Sequence, residues 1–297
     1  MDRFSSSRRW VVAATIVALG LSLGPGAVSA SAPASASTTS SATATATGYW
    51  IATPHGAVFP YGDASTLFGP ASTIKGLRAP IVGITATPDR GGYWMVAADG
   101  GVFAFGDAKF YGSAASMHLA APVAGMAVSA SGHGYWLVAR DGGVFAFGDA
   151  AFLGSGVGAS PGQVWIGIAR NPSKPGYVLV SESGSLLAID GPPVVPSATR
   201  PIVGLGGPIV GMQVDHDGIW LVGSDGGVFA YSGAGFYGSL AHVPLSAPIV
   251  GMALTADGRG YWLVGADGGV FSFGDAVFSG SAGGTRAPDS FVGITAS

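Results

Sequence analysis

The chain has no cysteine, a single glutamate and few charged residues. Without cysteine there is no disulfide framework, no thiol nucleophile and no cysteine for lipid attachment. Charged residues make up 10% of the 297 positions and hydrophobic residues 48%, so most positions are expected to be buried or to lie in tight turns. Because Glu182 is the lone glutamate, a glycosidase-type carboxylate pair would have to come from aspartates.

Several catalytic signatures are missing as well. The chain has neither a His-Glu-x-x-His zinc motif nor a Gly-x-x-x-x-Gly-Lys phosphate loop. It also lacks the aspartate boxes and the arginine cluster of sialidase-type enzymes. We therefore expect a non-enzymatic protein with no cofactor and no bound metal.

The N-terminus is predicted to direct export. A basic start, an apolar run and Val28-Ser29-Ala30 fit a secretory signal peptide over residues 1–30. The run follows Arg8 and Arg9, as in a twin-arginine signal, and the ordinary secretory route stays open. Residues 31–47 contain only Ser, Thr, Ala and Pro, which predicts a flexible linker.

The predicted mature chain is acidic. Removal of residues 1–30 leaves 10 basic and 15 acidic residues, a net charge of −5. That charge argues against nucleic acid or an anionic membrane as a partner. No later stretch has eighteen uninterrupted apolar residues, so no membrane span is expected after signal removal. We expect a monomer that is secreted or associated with the cell wall.

A tryptophan recurs every 42 residues and marks an internal repeat. In the unit from Pro80 to Ser113, glycine-rich turns separate four short runs of β-branched and aromatic residues. Four such strands in about 42 residues are typical of one blade of a β-propeller. The tryptophans on this grid are Trp94, Trp136, Trp220 and Trp262, with Trp50 44 residues before the first and Val178 in the vacant slot.

The repeat predicts an all-β fold, a six-bladed β-propeller of four-stranded blades over residues 48–297. Second strands and first strands each occur six times, but the two series are offset. The C-terminal strand is therefore expected to pair with the N-terminal blade and to close the ring, which removes exposed sheet edges. The tryptophans are expected to fill the layers between blades, and a role as exposed sugar platforms is the alternative.

The repeat also resembles a known family. The sequence GYWLVARDGGVFAFGDA, residues 134–150, is similar to the tandem repeats of secreted actinobacterial proteins, which carry them alone or beside cell-wall hydrolase or peptidase domains. The resemblance covers about residues 48–297. It implies export and a repeat domain, and it carries no established catalytic residues. The units are more distantly similar to NHL-type and chromosome-condensation-regulator-type propeller repeats, which are mainly binding scaffolds.

Binding residues are sought where the repeats differ. In a propeller the loops from fourth to first strands share one face with the turns between second and third strands. Basic or titratable residues in these loops could recognise an anionic or polyhydroxylated ligand, or they could simply be solvated charges that pair with turn aspartates. The candidate ligand-binding residues are Lys75, Arg78, His118, Arg200, His242 and Arg286.

Two further features allow more than one interpretation. The cluster Asp215-His216-Asp217 could serve a metal or acid–base site, but neighbouring residues at a strand end diverge, which favours a turn. The fourth unit loses its tryptophan and its Gly-Asp turn. We interpret this loss as drift, and an outer edge reshaped for a partner is the alternative.

The sequence thus predicts an exported scaffold that binds an extracellular glycan or protein through one loop face. The alternatives are a hydrolase or lyase with its active site at the axial mouth, and a structural or adhesion module tethered by the linker.

Overall fold

Short runs of β-branched and aromatic residues between glycine turns form strands throughout the described chain. The computed structural model describes residues 48–64, 74–159, 162–173, 175–189, 201–284 and 290–297, all within one compact unit of residues 43–297. The predicted signal peptide and linker lie outside these residues. The strands are β1 Tyr49–Ala52, β2 Val58–Tyr61, β3 Ile81–Ala86, β4 Gly92–Ala97, β5 Val102–Gly106, β6 Val123–Val128, β7 Gly134–Ala139, β8 Val144–Gly148, β9 Trp165–Arg170, β10 Tyr177–Ser181, β11 Leu186–Ile189, β12 Ile209–Val214, β13 Ile219–Gly223, β14 Val228–Tyr231, β15 Ile249–Leu254, β16 Gly260–Gly265, β17 Val270–Gly274 and β18 Gly293–Ala296.

The strands form six antiparallel sheets. Blade 1 is β18-β1-β2, and blades 2 to 6 follow in chain order as β3-β4-β5, β6-β7-β8, β9-β10-β11, β12-β13-β14 and β15-β16-β17. The first strand of each blade contacts the first strands of its two neighbours, in a cycle that returns to its start through β18. This arrangement confirms the predicted six-bladed propeller, with the first strands around the axis.

The ring closes as the offset of the repeats predicts. Strand β18 pairs with β1, with Tyr49 opposite Ala296 and Ala52 opposite Gly293. The Ser297 N–H donates to the Gly48 carbonyl at 3.0 Å. The Arg90 guanidinium of blade 2 donates to the Ser297 carbonyl at 2.8 Å. The last strand is thus held by blade 1 and by its neighbour.

The prediction of four strands per blade is wrong for the described residues, because each sheet has three strands. The expected fourth strand, Lys109–Gly112 in blade 2, is an irregular segment that ends at a left-handed glycine, Gly112 with φ 135°. Such backbone suits glycine and interrupts a regular ladder. Equivalent glycines with the same conformation are Gly154, Gly238 and Gly280.

Hydrogen bonds from side chains, and not a β-ladder, hold this fourth segment. In blade 2 the Trp94 indole donates to the Lys109 carbonyl at 2.8 Å. The Tyr135 hydroxyl, from blade 3, accepts from Tyr111 N–H at 3.1 Å and donates to the Gly112 carbonyl at 2.6 Å. The indole bond recurs at Trp136, Trp220 and Trp262, and the hydroxyl pair at Tyr49, Tyr177 and Tyr261.

The tryptophans lie in the layers between blades, as expected. Trp94 is 1% exposed, and its ring centroid lies 5.9 Å from that of Tyr135 in the next blade. Trp50, Trp220 and Trp262 are equally buried, which contradicts the alternative role as exposed sugar platforms. Burial of these rings supplies much of the apolar surface that stabilises each interface.

Glycine allows the first strands to meet at the axis. A Cβ on Gly125 would lie 3.4 Å from the Gly167 Cα, and one on Gly251 would lie 3.4 Å from the Gly293 Cα. Backbones therefore approach closely at positions without side chains.

Candidate functional site

One face of the ring combines the second-to-third-strand turns with the fourth-to-first-strand loops. The Ala114 N–H in such a loop donates to the Gly100 carbonyl in such a turn at 2.9 Å. We call this surface the mouth face. Equivalent bonds join the two in all blades, from Ile74 to His55, Gly156 to Gly142, Ile202 to Ser183, Leu240 to Gly226 and Ala282 to Gly268.

The aspartates in the turns of the mouth face have a local role. Asp99 accepts from the Gly101 N–H at 2.9 Å, which stabilises the tight turn. The same bond is made by Asp141, Asp225 and Asp267. These carboxylates therefore support the backbone, as a structural interpretation of the repeat predicts.

The residue that begins each second-to-third-strand turn connects neighbouring blades. It precedes an aspartate in four blades, His55 in blade 1 and Ser183 in blade 4. Ala98 donates its N–H to the Pro80 carbonyl at 2.9 Å and accepts at its own carbonyl from Val123 of blade 3 at 2.8 Å. Five of the six equivalent carbonyls accept from the first strand of the following blade, and the Ala266 carbonyl accepts from the Phe291 N–H just before β18. We call these six residues the mouth positions; they are Pro54, Ala98, Arg140, Glu182, Ser224 and Ala266.

An axial cavity of about 610 Å³ opens at the mouth face. Its wall comes from the first strands of blades 2 to 6, from Phe291 and Val292 just before β18, and from mouth positions. Most lining side chains are proline, alanine, valine or isoleucine, among them Pro122, Val82 and Ile166. A largely apolar cavity of this size with few polar groups is typical of a ligand site.

Arg140 and Glu182 are the charged residues in the described lining of this cavity. They occupy mouth positions of blades 3 and 4, and Arg140 Nη2 lies 3.5 Å from Glu182 Oε2. Their side chains are 47% and 44% exposed, so the pair itself contributes little to stability. Both groups remain accessible to a ligand at the mouth.

Four of the six candidate loop residues are described, and they lie on the mouth face outside the lining of the axial cavity. Lys75, Arg78, His118 and His242 are all exposed, in loops that lead to blades 2, 3 and 6. None of the four belongs to the lining of the cavity. Arg200 and Arg286 lie outside the described residues. A convergence of these six side chains on the axis therefore stays a prediction.

Arg140 is not among the residues predicted from sequence, because it lies within the repeated motif of residues 134–150. Its signal was a variable position at the start of the second-to-third-strand turn, where the other units carry proline, alanine, serine or Glu182. The two charged residues stand 42 positions apart, one repeat, so blade stacking brings them together.

The opposite face, which carries the first-to-second-strand loops, holds a second set of aspartates. Asp149 accepts from the Ser129 hydroxyl at 2.7 Å and from that of Ser131. These bonds, from Ser131 first and then Ser129, lower the pKa of Asp149. They tie the third-to-fourth-strand turn to the end of the first strand, which is a structural role.

Blade 2 has a closer carboxylate pair on this opposite face. Partial burial and then the nearby Asp89 carboxylate raise the pKa of Asp107, whereas hydrogen bonds from the Thr87 hydroxyl and the Gly91 N–H lower that of Asp89. The pair borders a cavity of about 330 Å³. Within the described ranges no group of three or more histidines and carboxylates is arranged to hold a metal ion.

The cluster Asp215-His216-Asp217 forms a turn. Asp215 Oδ1 accepts from the Asp217 N–H at 2.7 Å and from the Gly218 N–H at 3.0 Å. This carboxylate therefore orders the loop between β12 and β13. The sequence Gly-Ala-Ser-Pro-Gly at 158–162 matches the Gly-x-Ser-x-Gly nucleophile motif, and its Ser160 and Pro161 lie outside the described residues.

No helix long and apolar enough for a bilayer occurs in the part of the chain that the structure describes. No family model and no curated protein sequence matches the chain.

Solved structures show a distant likeness. A chain of the Nidogen/Laminin complex matches with a TM-score of 0.54 at 10% identity, over 84% of this chain and 97% of that one. U3-55K matches with a TM-score of 0.47 at 14% identity, over 67% of this chain and 62% of that one, which is less than two thirds of its length. The β-propeller domain of Myceliophteria thermophila Cps50 (Swd1) gives 0.42 at 13%, over 73% and 70%. The likeness to the chain of the Nidogen/Laminin complex, at 10% identity, shows the fold alone, and together with the six sheets described above it identifies this chain as a six-bladed β-propeller.

Proposed function

We propose that this protein is an exported, non-enzymatic binding scaffold that recognises a cell-envelope glycan or a protein partner through its mouth face. The observation that carries the proposal is the axial cavity, which opens at this face between exposed loops. A ring joined by backbone hydrogen bonds at all six mouth positions is a rigid support for such a surface. Rigid presentation lowers the ordering cost of binding.

The chemistry of the mouth favours binding over hydrolysis. A glycosidase-type mechanism needs two carboxyl groups across the scissile bond. The described lining of the cavity offers one, that of Glu182, and it already contacts Arg140. The turn aspartates of the mouth face bond to their own backbones. The resemblance to secreted actinobacterial repeat proteins supports export and a location at the envelope.

A retention assay tests the role of the mouth face. Residues 31–297, which include the whole compact unit, are incubated with purified cell-wall sacculi and with immobilised secreted proteins of the source organism. Simultaneous replacement of Arg78, Arg200 and Arg286 by alanine should reduce retention at least about tenfold without a change in melting temperature.

A matched variant removes the same charge from the other side of the ring. Replacement of Lys109, Arg170 and Arg259 by alanine also removes three positive charges, but these residues lie toward the opposite face. Retention should stay within about twofold of the parent chain. Equal loss in both triple variants would show nonspecific attraction and would contradict recognition by the mouth face.

A further inference from the structure

The wall of the axial cavity suits an aliphatic group better than a sugar. Its side chains are mainly proline and branched aliphatics, and a single aromatic residue, Phe291, belongs to the described lining. Sugars are usually bound by aromatic faces and by several polar side chains that satisfy their hydroxyls. A hydroxyl buried against this wall would lose its hydrogen bonds to water.

Backbone groups at the mouth are already engaged. At each mouth position the carbonyl accepts from the next blade, as in Val123 to Ala98, Trp165 to Arg140 and Ile209 to Glu182. The N–H groups of Arg140 and Glu182 donate to Pro122 and Val164 of their own blades. Directional polar recognition at this site therefore depends on side chains.

The Arg140–Glu182 pair presents a donor next to an acceptor at the edge of an apolar cavity. Their contact of 3.5 Å uses one guanidinium nitrogen and one carboxylate oxygen, and both side chains are about half exposed. The remaining N–H groups of Arg140 and the second oxygen of Glu182 can bond a ligand. A peptide backbone offers the complementary pattern, a carbonyl that accepts and an N–H that donates beside each side chain.

We infer that the axial cavity binds a peptide segment of a partner protein, whose aliphatic side chain enters the cavity while Arg140 and Glu182 hydrogen-bond its backbone. This inference rests on the proposed binding function and narrows its ligand from glycan or protein to protein. The charged pair occupies two of six otherwise uncharged mouth positions, so it breaks the symmetry of the ring and orients the segment.

Selection from a random peptide library tests the inference. Residues 31–297 are immobilised and exposed to a phage-displayed library of dodecapeptides, and the affinities of enriched peptides are measured by fluorescence anisotropy. The expected peptides share a leucine, isoleucine or valine. Ala98→Phe, which fills the mouth, and Arg140→Ala should each raise their dissociation constants at least about tenfold.

Two controls separate a ligand contact from a structural effect. Ala130→Phe adds the same ring at an exposed position of the opposite face and should leave the affinity unchanged. The double variant Arg140→Glu with Glu182→Arg keeps the ion pair and the net charge but exchanges donor and acceptor. It should bind the same peptides at least about tenfold more weakly, whereas a purely structural role of the pair predicts full binding.

The outcomes distinguish this inference from the proposed function. The inference is overturned if the enriched peptides bind Ala98→Phe and the exchanged pair with unchanged affinity. Failure to enrich any peptide also overturns it. If sacculi are still retained through Arg78, Arg200 and Arg286 in that case, the scaffold function stands with a glycan ligand. If peptides, sacculi and secreted proteins all fail to bind, both proposals fall.

Discussion

Two interfaces between neighbouring blades are packed by different side chains. One lies between blades 2 and 3, and the other lies between blades 4 and 5. The first places Trp94 against Tyr135, and both side chains also hydrogen-bond the fourth segment of blade 2. The second places Val178 and Ile219 at the equivalent positions, which are 1% and 0% exposed. Neither aliphatic side chain can hydrogen-bond a fourth segment.

The comparison shows what the aromatic pair is required for. The interface between blades 4 and 5 keeps its backbone link, from the Ile209 N–H to the Glu182 carbonyl at 2.8 Å, and blade 4 keeps its three-stranded sheet. Stacking of blades therefore needs buried apolar surface, which valine and isoleucine also supply. The tryptophan and tyrosine add anchors for the outer segment, so both can be lost together.

Removal of the strand that closes the ring is expected to have the largest effect on the free energy of unfolding. Deletion of residues 291–297 eliminates β18 and Phe291, so blade 1 loses its first strand and the contacts of that strand with β3 and β15. We expect a loss of more than about 5 kcal/mol in the free energy of unfolding, comparable to the whole stability of a domain. Thermal unfolding followed by circular dichroism measures it. Deletion of residues 31–47 is the control, and an unchanged melting temperature in both deletions would contradict closure by the last strand.

Truncation of one residue at each interface measures how much its central side chain contributes to the free energy of unfolding. Trp94→Ala should cost about 3–5 kcal/mol, because it leaves a large cavity and an unpaired Lys109 carbonyl. Val178→Ala removes a smaller group with no hydrogen bond and should cost about 2 kcal/mol. Urea unfolding of both variants gives the two values. Equal costs would show that the two interfaces depend on their central residues to the same extent.

Loss of the tyrosine hydroxyl tests the anchor separately from the packing. Tyr135→Phe keeps the ring but removes the partner of the Tyr111 N–H and the Gly112 carbonyl, at a cost of about 1–3 kcal/mol. Ile219→Val at the other interface should cost about 1 kcal/mol or less through packing alone. Hydrogen exchange of the Tyr111 amide should accelerate in the first variant and stay unchanged in the second.

The same hydroxyl predicts a dependence on alkaline pH. Burial raises the pKa of Tyr135, and likewise of Tyr49 and Tyr261, above the ordinary value of 10.0. Since the folded state favours the protonated hydroxyl, its stabilisation is complete below pH 10 and is lost as the pH rises through the folded-state pKa. The melting temperature should therefore fall as the pH rises above about 10. Tyr135→Phe should make this fall shallower, whereas Ile219→Val should leave its slope unaltered.

A substitution at the outer rim of blade 2 is expected to have the smallest effect on the free energy of unfolding. Phe110 is 60% exposed on the fourth segment of blade 2, which Trp94 and Tyr135 hold through its backbone. Phe110→Ser should therefore change the free energy of unfolding by less than about 0.5 kcal/mol. Phe105→Ser in the same blade should cost more, because that ring packs 5.5 Å from Tyr93. A large loss with Phe110→Ser would mean that the segment is held by its phenylalanine.

Local patterns were sufficient for most of the fold. The regular tryptophan spacing predicted both the repeat and the buried layers, because identical units stacked around an axis must bury the same face. The offset of the repeats predicted closure by the C-terminal strand. The number of strands was wrong because Lys109–Gly112 has the composition of a strand, while a left-handed glycine and a hydroxyl from the next blade determine its actual path.

The candidate site was predicted less completely. The sequence indicated the mouth face and its exposed basic loops, since propeller topology assigns those loops to one side. The spacing of 42 residues put Arg140 and Glu182 at the same position of neighbouring repeats, but it did not show that their side chains meet. Their contact depends on the rotation from one blade to the next, and no local pattern encodes that rotation.

By itself the sequence determined the repeating unit, the buried aromatic layers and the order of the blades, because these follow from hydrophobic periodicity and glycine turns. Within the described residues, the tertiary structure decided that each blade has three strands, that the axis opens into a largely apolar cavity, and that the Arg140–Glu182 ion pair stands at its mouth. These features arise between blades, where side chains distant in sequence meet, and packing around a closed ring fixes them.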